Sequence, residues 1–217
     1  ITADTRRQRP AGFLSVALIS ASQILIGFPQ AVWWNALALG TFVLLRMRET
    51  GRWRRLVPLA AGGLTGVLIG AVQLVPTIDA ALRSIRAVPE PRFALTYSLD
   101  PVNLVQFWSP YVFNNRVSSS VDFPWVHEFG VYSSAIGILA LPWLWIRRAA
   151  VRHRRTLIIT MTAFAAVSLL LALGRHGGLD VLLVRLPVLS SLRVPARYIV
   201  LVQFSLTLLA AVVFDDL

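Results

Sequence analysis

Four arginines stand where apolar stretches end: Arg83 and Arg86 in "IDAALRSIRA", and Arg193 and Arg197 around Pro195 in "SSLRVPARYIV". A guanidinium in such a place must snorkel to water, pair with a carboxylate, or meet a ligand whose negative charge offsets its desolvation. Its planar donors match phosphate oxygens in pairs, so the chemistry these residues offer is phosphate binding. If the helix resumes after Pro76, Asp79 and Arg83 stand at i,i+4 and Arg83 and Arg86 at i,i+3, which puts one carboxylate and two guanidiniums on one face. The same pattern also reads as a self-compensated ion pair beside a snorkelling arginine. Pro195 lacks an amide hydrogen, so it can end an outer helix or start the next with little hydrogen-bond loss. That geometry would hold Arg193 and Arg197 at one depth with Tyr198 at the interface, either as a phosphate clamp or as anchors for anionic lipid headgroups.

Other side chains bear on catalysis and recognition. A reaction in which a phosphate leaves would need charge stabilisation there and a base for the acceptor; Asp100, Asp122 and Glu128 are the candidate carboxylates for the base, since Asp79 and Asp180 are as easily explained by local pairing. His127 beside Glu128 is a further acid or base candidate, but the two lack the number and spacing of zinc ligands. Trp108, Tyr111 and Trp125, with Phe107 and Phe113, form either an interfacial belt or a substrate surface. Asn103, Gln106, Asn114 and Asn115 add directional hydrogen bonds to that surface, and Gln73 is either helix-packing glue or part of the site. There is no phosphate-cradling Gly-rich loop, no GxGxxG and no HExxH. No cofactor is evident; a divalent metal is compatible with the chemistry but nothing indicates one.

These residues need elements to hold them. The 217 residues are 56% hydrophobic and 14% charged, with mean hydropathy +0.67, against roughly 25% charged in soluble domains. That is a membrane composition. The net charge of +11 is carried entirely by arginine, in short clusters between apolar runs and not on one water-exposed face, which argues against nucleic acid as a partner. With no cysteine, disulfides, thiol nucleophiles and thiolate metal sites are excluded.

The apolar runs 11–28, 29–45, 56–78, 129–146, 156–173 and 198–214 fit the window of about 17 to 25 residues for a span, which predicts an all-α polytopic membrane bundle with about six transmembrane helices. The run 11–45 turns tightly at "GFPQ", as two full crossings or as a re-entrant hairpin. Arg6, Arg7 and Arg9, then the arginines between 46 and 55, then those between 147 and 155, fall in alternate loops. The positive-inside rule places these in the cytoplasm, with 79–128 as a long outer loop between the third and fourth spans and 174–197 also outside. A short amphipathic helix is expected near 179–186. The chain reads as one transmembrane domain, 1–217, an internal piece of a longer protein.

"GFPQAVWWNALALGTFVLLR" resembles a GHPQ-type hairpin, "GAVQLVPTIDAALRSIR" a Q-x-x-P helix end, and "LRVPARYIVLVQFSLTLLAAVVFDDL" an F-R-x-P-x-R-[FY] segment with its following helix. In this order and spacing the chain resembles bacterial YfhO-type membrane proteins, relatives of the polyprenyl-phosphate-dependent GT-C glycosyltransferases. The resemblance implies an all-helical, multi-pass enzyme of the bacterial cytoplasmic membrane. Such an enzyme takes sugar from a polyprenyl-phosphate donor on the outer face and passes it to a cell-envelope polymer, lipid or protein. It maps the family's motifs onto Arg193, Pro195 and Arg197 and onto Gln73, Pro76 and Thr77; Phe28 departs from the family's usual histidine. It also implies that the general base lies in a first outer loop outside this chain. Two other classes use the same features: a transporter or flippase of a lipid-linked or anionic substrate, which should show internal repeats around a midplane site, and a noncatalytic envelope-assembly protein.

Overall fold

The computed structural model describes residues 4–84, 94–113, 129–132, 135–179, 184–186, 190, 192 and 194–217, with side chains from residue 11 onward. Among these residues the chain is helical, and each of the six apolar runs contains one helix: α1 (Asp4–Leu25), α2 (Pro29–Thr50), α3 (Leu56–Leu82), α4 (Ala135–Ile146), α5 (Arg155–Leu173) and α6 (Ile199–Asp216). Three of them, extended by their flanking turns to Trp53–Leu82, Ala150–His176 and Pro195–Asp216, are long and apolar enough to cross a membrane. The chain is thus a helical membrane protein, but the structure does not itself supply six spans. The apolar helix Ala11–Leu25 and α4 are shorter; at 1.5 Å per residue they cover roughly 22 and 18 Å of a hydrocarbon core about 30 Å thick. In α2 the apolar stretch is diluted by Gln30, Asn35, Arg46 and Arg48. The chain divides into two compact units, 1–88 and 89–217.

In the first unit, α1 and α3 pack side by side. Gly62, Gly66 and Gly70 recur every fourth residue and line the contact: a Cβ added to Gly66 would stand 2.5 Å from Ser20 Cβ and 2.6 Å from the Ala17 carbonyl. Gly62 meets Phe13 and Val16, and Gly70 meets Ile24, so numbers rise together along both helices and the pair is parallel. Small residues let backbones approach where lipid gives no hydrophobic drive between helices. The reversal into α2 uses Gly27 at φ +73°, beside the Gln73 side chain, and Pro29 opens α2 where its missing N–H costs nothing. Gly51 closes α2 in the left-handed conformation, donating to the Met47 carbonyl at 2.8 Å.

In the second unit, α6 is the central helix: half of its apolar window is buried, against 22% for Ala150–His176. It runs antiparallel to α5, since the Arg154 guanidinium at one end pairs with Asp215 while Pro195 adjoins Gly174 at the other. α4 runs parallel to the second half of α6, with Gly137 against Leu206 and Arg147 donating to Asp216 at 3.1 Å. That hydrogen bond raises the Arg147 pKa. Ala140, Leu144, Met161 and Leu209 form the core at this end.

The fourth run is helical only from Ala135. Ahead of α4, residues 129–132 are largely irregular backbone, and side-chain amides serve their carbonyls: Gln106 Nε2 donates to Phe129 at 3.2 Å and Gln203 Nε2 to Val131 at 3.1 Å. These side chains thus satisfy carbonyls that no helical ladder serves. The expected helix near 179–186 lies mostly outside the described residues, which show helix at 184 and 185.

Candidate functional site

At the end of the second unit away from the Arg147 and Arg154 ion pairs, the segment 94–107 is knitted to the ends of α5 and α6. Leu99 N–H donates to the Ala172 carbonyl at 3.0 Å, Val194 N–H to Thr96 at 3.1 Å and Ala196 N–H to Tyr97 at 3.1 Å. Two of these residues hold left-handed backbone, Tyr97 at φ 59° and Val194 at φ 67°. For a β-branched residue this conformation is an outlier, retained only where surroundings over-determine it. Gly174, at φ +52°, leaves no room for a side chain: an added Cβ would lie 2.2 Å from Ser98 Oγ. Ser98 Oγ in turn accepts from the Arg175 N–H at 3.1 Å, and the Arg175 guanidinium reaches the Leu95 carbonyl at 3.3 Å.

This knot carries Arg197. As expected, Pro195 opens a helical turn, Pro195–Tyr198, that leads into α6. Pro195, Ala196 and Tyr198 are buried while Arg197 is partly exposed. Arg197 therefore sits on a turn pinned by backbone bonds on one side and by a buried tyrosine on the other. Tyr198, 2% exposed, is a packing residue and not an interface marker. Arg193 lies outside the described residues.

The other candidates separate by context. In α3 the helix continues through Pro76 to Leu82, so the first residues of the segment 79–128 are helical. The i,i+4 pair forms, with Arg83 Nε 3.0 Å from Asp79 Oδ1, both exposed. Gln73 makes a local bond to Thr77 at 3.4 Å, and Thr77 returns its hydroxyl to the Gln73 carbonyl at 2.7 Å, the back-bonding expected where Pro76 interrupts the helical ladder. Asp100 caps the short 3-10 helix Pro101–Phe107, accepting from Val102 N–H at 3.0 Å. Trp108 and Tyr111 are exposed, 59% and 72%, while Phe107 is buried. Asn103 and Gln106, read from sequence as parts of a recognition surface, are each 1% exposed. Their amides face inward, where Gln106 supports the lead-in to α4, so they act in the fold. Arg86, Asp122, Trp125, His127 and Glu128 lie outside the described residues, as do Asn114 and Asn115. Among the described residues no three His, Cys, Asp or Glu side chains gather as a metal site.

Sequence reasoning missed three working groups. The Gly62, Gly66, Gly70 repeat was visible as small residues spaced by four. Gln203 was visible as a lone amide inside an apolar run. The strained pair Tyr97 and Val194 carried no signal, because neither residue type favours positive φ and only the tertiary knot imposes it. Comparison with protein-family models, with curated proteins and with solved structures gives no match to this chain.

Proposed function

We propose that the chain belongs to a multi-pass protein of the bacterial cytoplasmic membrane that binds a polyprenyl-phosphate-linked sugar at the Arg197 end of its second unit, as in the YfhO-like, GT-C-related glycosyltransferases it resembles. The observation that carries this reading is the mounting of Arg197: an arginine at the start of a membrane-long helix, on a turn tied to Thr96 and Tyr97 by two backbone hydrogen bonds and entered through left-handed Val194. A polyprenyl phosphate keeps its chain in the bilayer and its anion at the boundary, where such a guanidinium can make paired hydrogen bonds. Exposed Trp108 and Tyr111 belong to the same unit and offer stacking faces for a sugar.

The finer topology proposed with it is six crossings with the arginine clusters in the cytoplasm. The α1–α2 turn lies level with Gln73, about 26 Å along α3 from Leu56, which supports two full crossings over a shallow hairpin. The irregular lead-in to α4 supports a fourth crossing that is helical for only part of its depth.

Arg197→Lys tests the site. Lysine retains charge but loses the fork, so donor affinity measured in nanodiscs should fall about 10-fold or more, the range for a lost charge-assisted hydrogen bond, with yield unchanged. Arg54→Lys, in the arginine cluster of the first unit, should bind donor as the unmodified chain does. Unaltered donor affinity in Arg197→Lys would remove the phosphate role.

A further inference from the structure

The arginine-rich end of the second unit contains a groove that the proposed donor site does not use. Five arginines cluster between α4 and α5, and they fall into two sets. Arg147 and Arg154 are engaged by the carboxylates of Asp216 and Asp215 at the end of α6. Among the described residues, Arg148, Arg152 and Arg155 have no carboxylate partner, and these three line one groove of about 560 Å³. Leu144, Trp145 and Ile158 supply its apolar wall. The Arg148 guanidinium sits 5.2 Å from the centroid of the Trp145 ring, which orients it by cation–π attraction. Trp145 is 71% exposed, in the manner of tryptophans that sit at headgroup level.

We infer that this groove is a binding site for one anionic phospholipid, whose phosphate lies among Arg148, Arg152 and Arg155 and whose glycerol and upper acyl chain lie along Leu144 and Ile158. The groove is at the boundary of a membrane-long helix, it combines three uncompensated cations with an apolar wall, and it is large enough for a headgroup with its first methylenes. A phosphate without a chain would satisfy the cations and leave the apolar wall wet. The site lies at the opposite end of α5 from Arg197, so it stands or falls apart from the donor reading.

The test uses the purified chain exchanged into micelles containing equal amounts of phosphatidylglycerol and phosphatidylcholine, with retained lipids counted by native mass spectrometry. The unmodified chain should retain one phosphatidylglycerol in preference to phosphatidylcholine. The combined Arg148→Gln, Arg152→Gln, Arg155→Gln variant should lose that preference, each arginine contributing about a factor of 5, while an Arg52→Gln, Arg54→Gln, Arg55→Gln variant should keep it. Ile159→Trp gives an independent arm: Ile159 lines the groove and is 55% exposed, so the larger ring fills the groove without burdening the core, and it should expel the lipid although every arginine remains. No preference in the unmodified chain, or an unchanged lipid count in both the arginine variant and Ile159→Trp, would overturn the site. Inorganic phosphate that strips the lipid at equal concentration would overturn the assignment to a lipid.

Discussion

Gly174 and Gly178 stand four residues apart, both at positive φ, +52° and +72°, but they differ in enclosure: the missing Cβ of Gly174 would meet Ser98 Oγ and Pro195, while among the described residues nothing lies within 4 Å of the corresponding point on Gly178. The pair separates the conformational cost of a left-handed residue from the steric cost of the knot. Gly178→Ala should lower stability by about 1 kcal/mol, the left-handed penalty alone. Gly174→Ala should lose about 2 kcal/mol more, because Ser98 must give up its contacts with the Arg175 N–H and the Leu95 carbonyl. Thermal unfolding of the two variants in one detergent checks the difference, and equal losses would show that the knot yields easily. Gln203 makes a similar point in the membrane. Gln203→Leu leaves the Val131 carbonyl without its amide donor and should cost about 1 to 3 kcal/mol, although leucine is the more lipophilic residue; a rise in melting temperature would mean that the lead-in to α4 finds another partner.

Helix α3 has two kinds of glycine, and they predict opposite outcomes. Gly66→Leu must push apart Ala17, Ser20 and Ala21 of α1, where the closest atoms include backbone, so it should break the α1–α3 contact and expose α1 to proteolysis. Gly63→Leu, three residues earlier and with nothing within 4 Å among the described residues, should be neutral or mildly stabilising, since leucine is a better helix former by up to about 1 kcal/mol. Limited proteolysis of both variants reads the contrast. At this scale the sequence was informative about where helices lie, because a long apolar run has few alternatives to a helix in lipid. It was less informative about where they stop. The run 129–146 counts as apolar throughout, yet its first residues leave the helix because amides 23 and 72 positions away in the chain supply their partners. A run can report burial; it cannot report a distant glutamine. The candidate site divides in the same way. The proline-centred turn before α6 follows from local chemistry, whereas the inward rotation of Asn103 and Gln106 and the strain at Val194 follow only from the packing of 94–107 onto α5 and α6.

For the molecule as a whole, the arginine clusters and the length of α5 make a joint prediction about sidedness. Ala150 and His176 stand at opposite ends of a 27-residue apolar segment, roughly 40 Å at helical rise, and both are exposed. The chain has no cysteine, so single cysteines can be read without a background. In intact cells, His176→Cys should be labelled by an impermeant thiol reagent and Ala150→Cys should be protected until lysis, because arginine-rich loops stay in the cytoplasm. Thr50→Cys, at the arginine-rich end of α2, should behave like Ala150→Cys. Ile26→Cys then decides between the two paths for the first pair of helices. Ile26 is 75% exposed at the α1–α2 turn; with two full crossings it emerges outside and is labelled in intact cells, whereas a re-entrant hairpin keeps it within the hydrocarbon and unreactive before and after lysis. Labelling of both His176→Cys and Ile26→Cys from outside, with Thr50→Cys and Ala150→Cys protected, fits the six-crossing path. Protection of Ile26→Cys under both conditions would reduce the count to four. Labelling of Ala150→Cys in intact cells would invert the chain and place Arg197 on the side away from an outer-face donor.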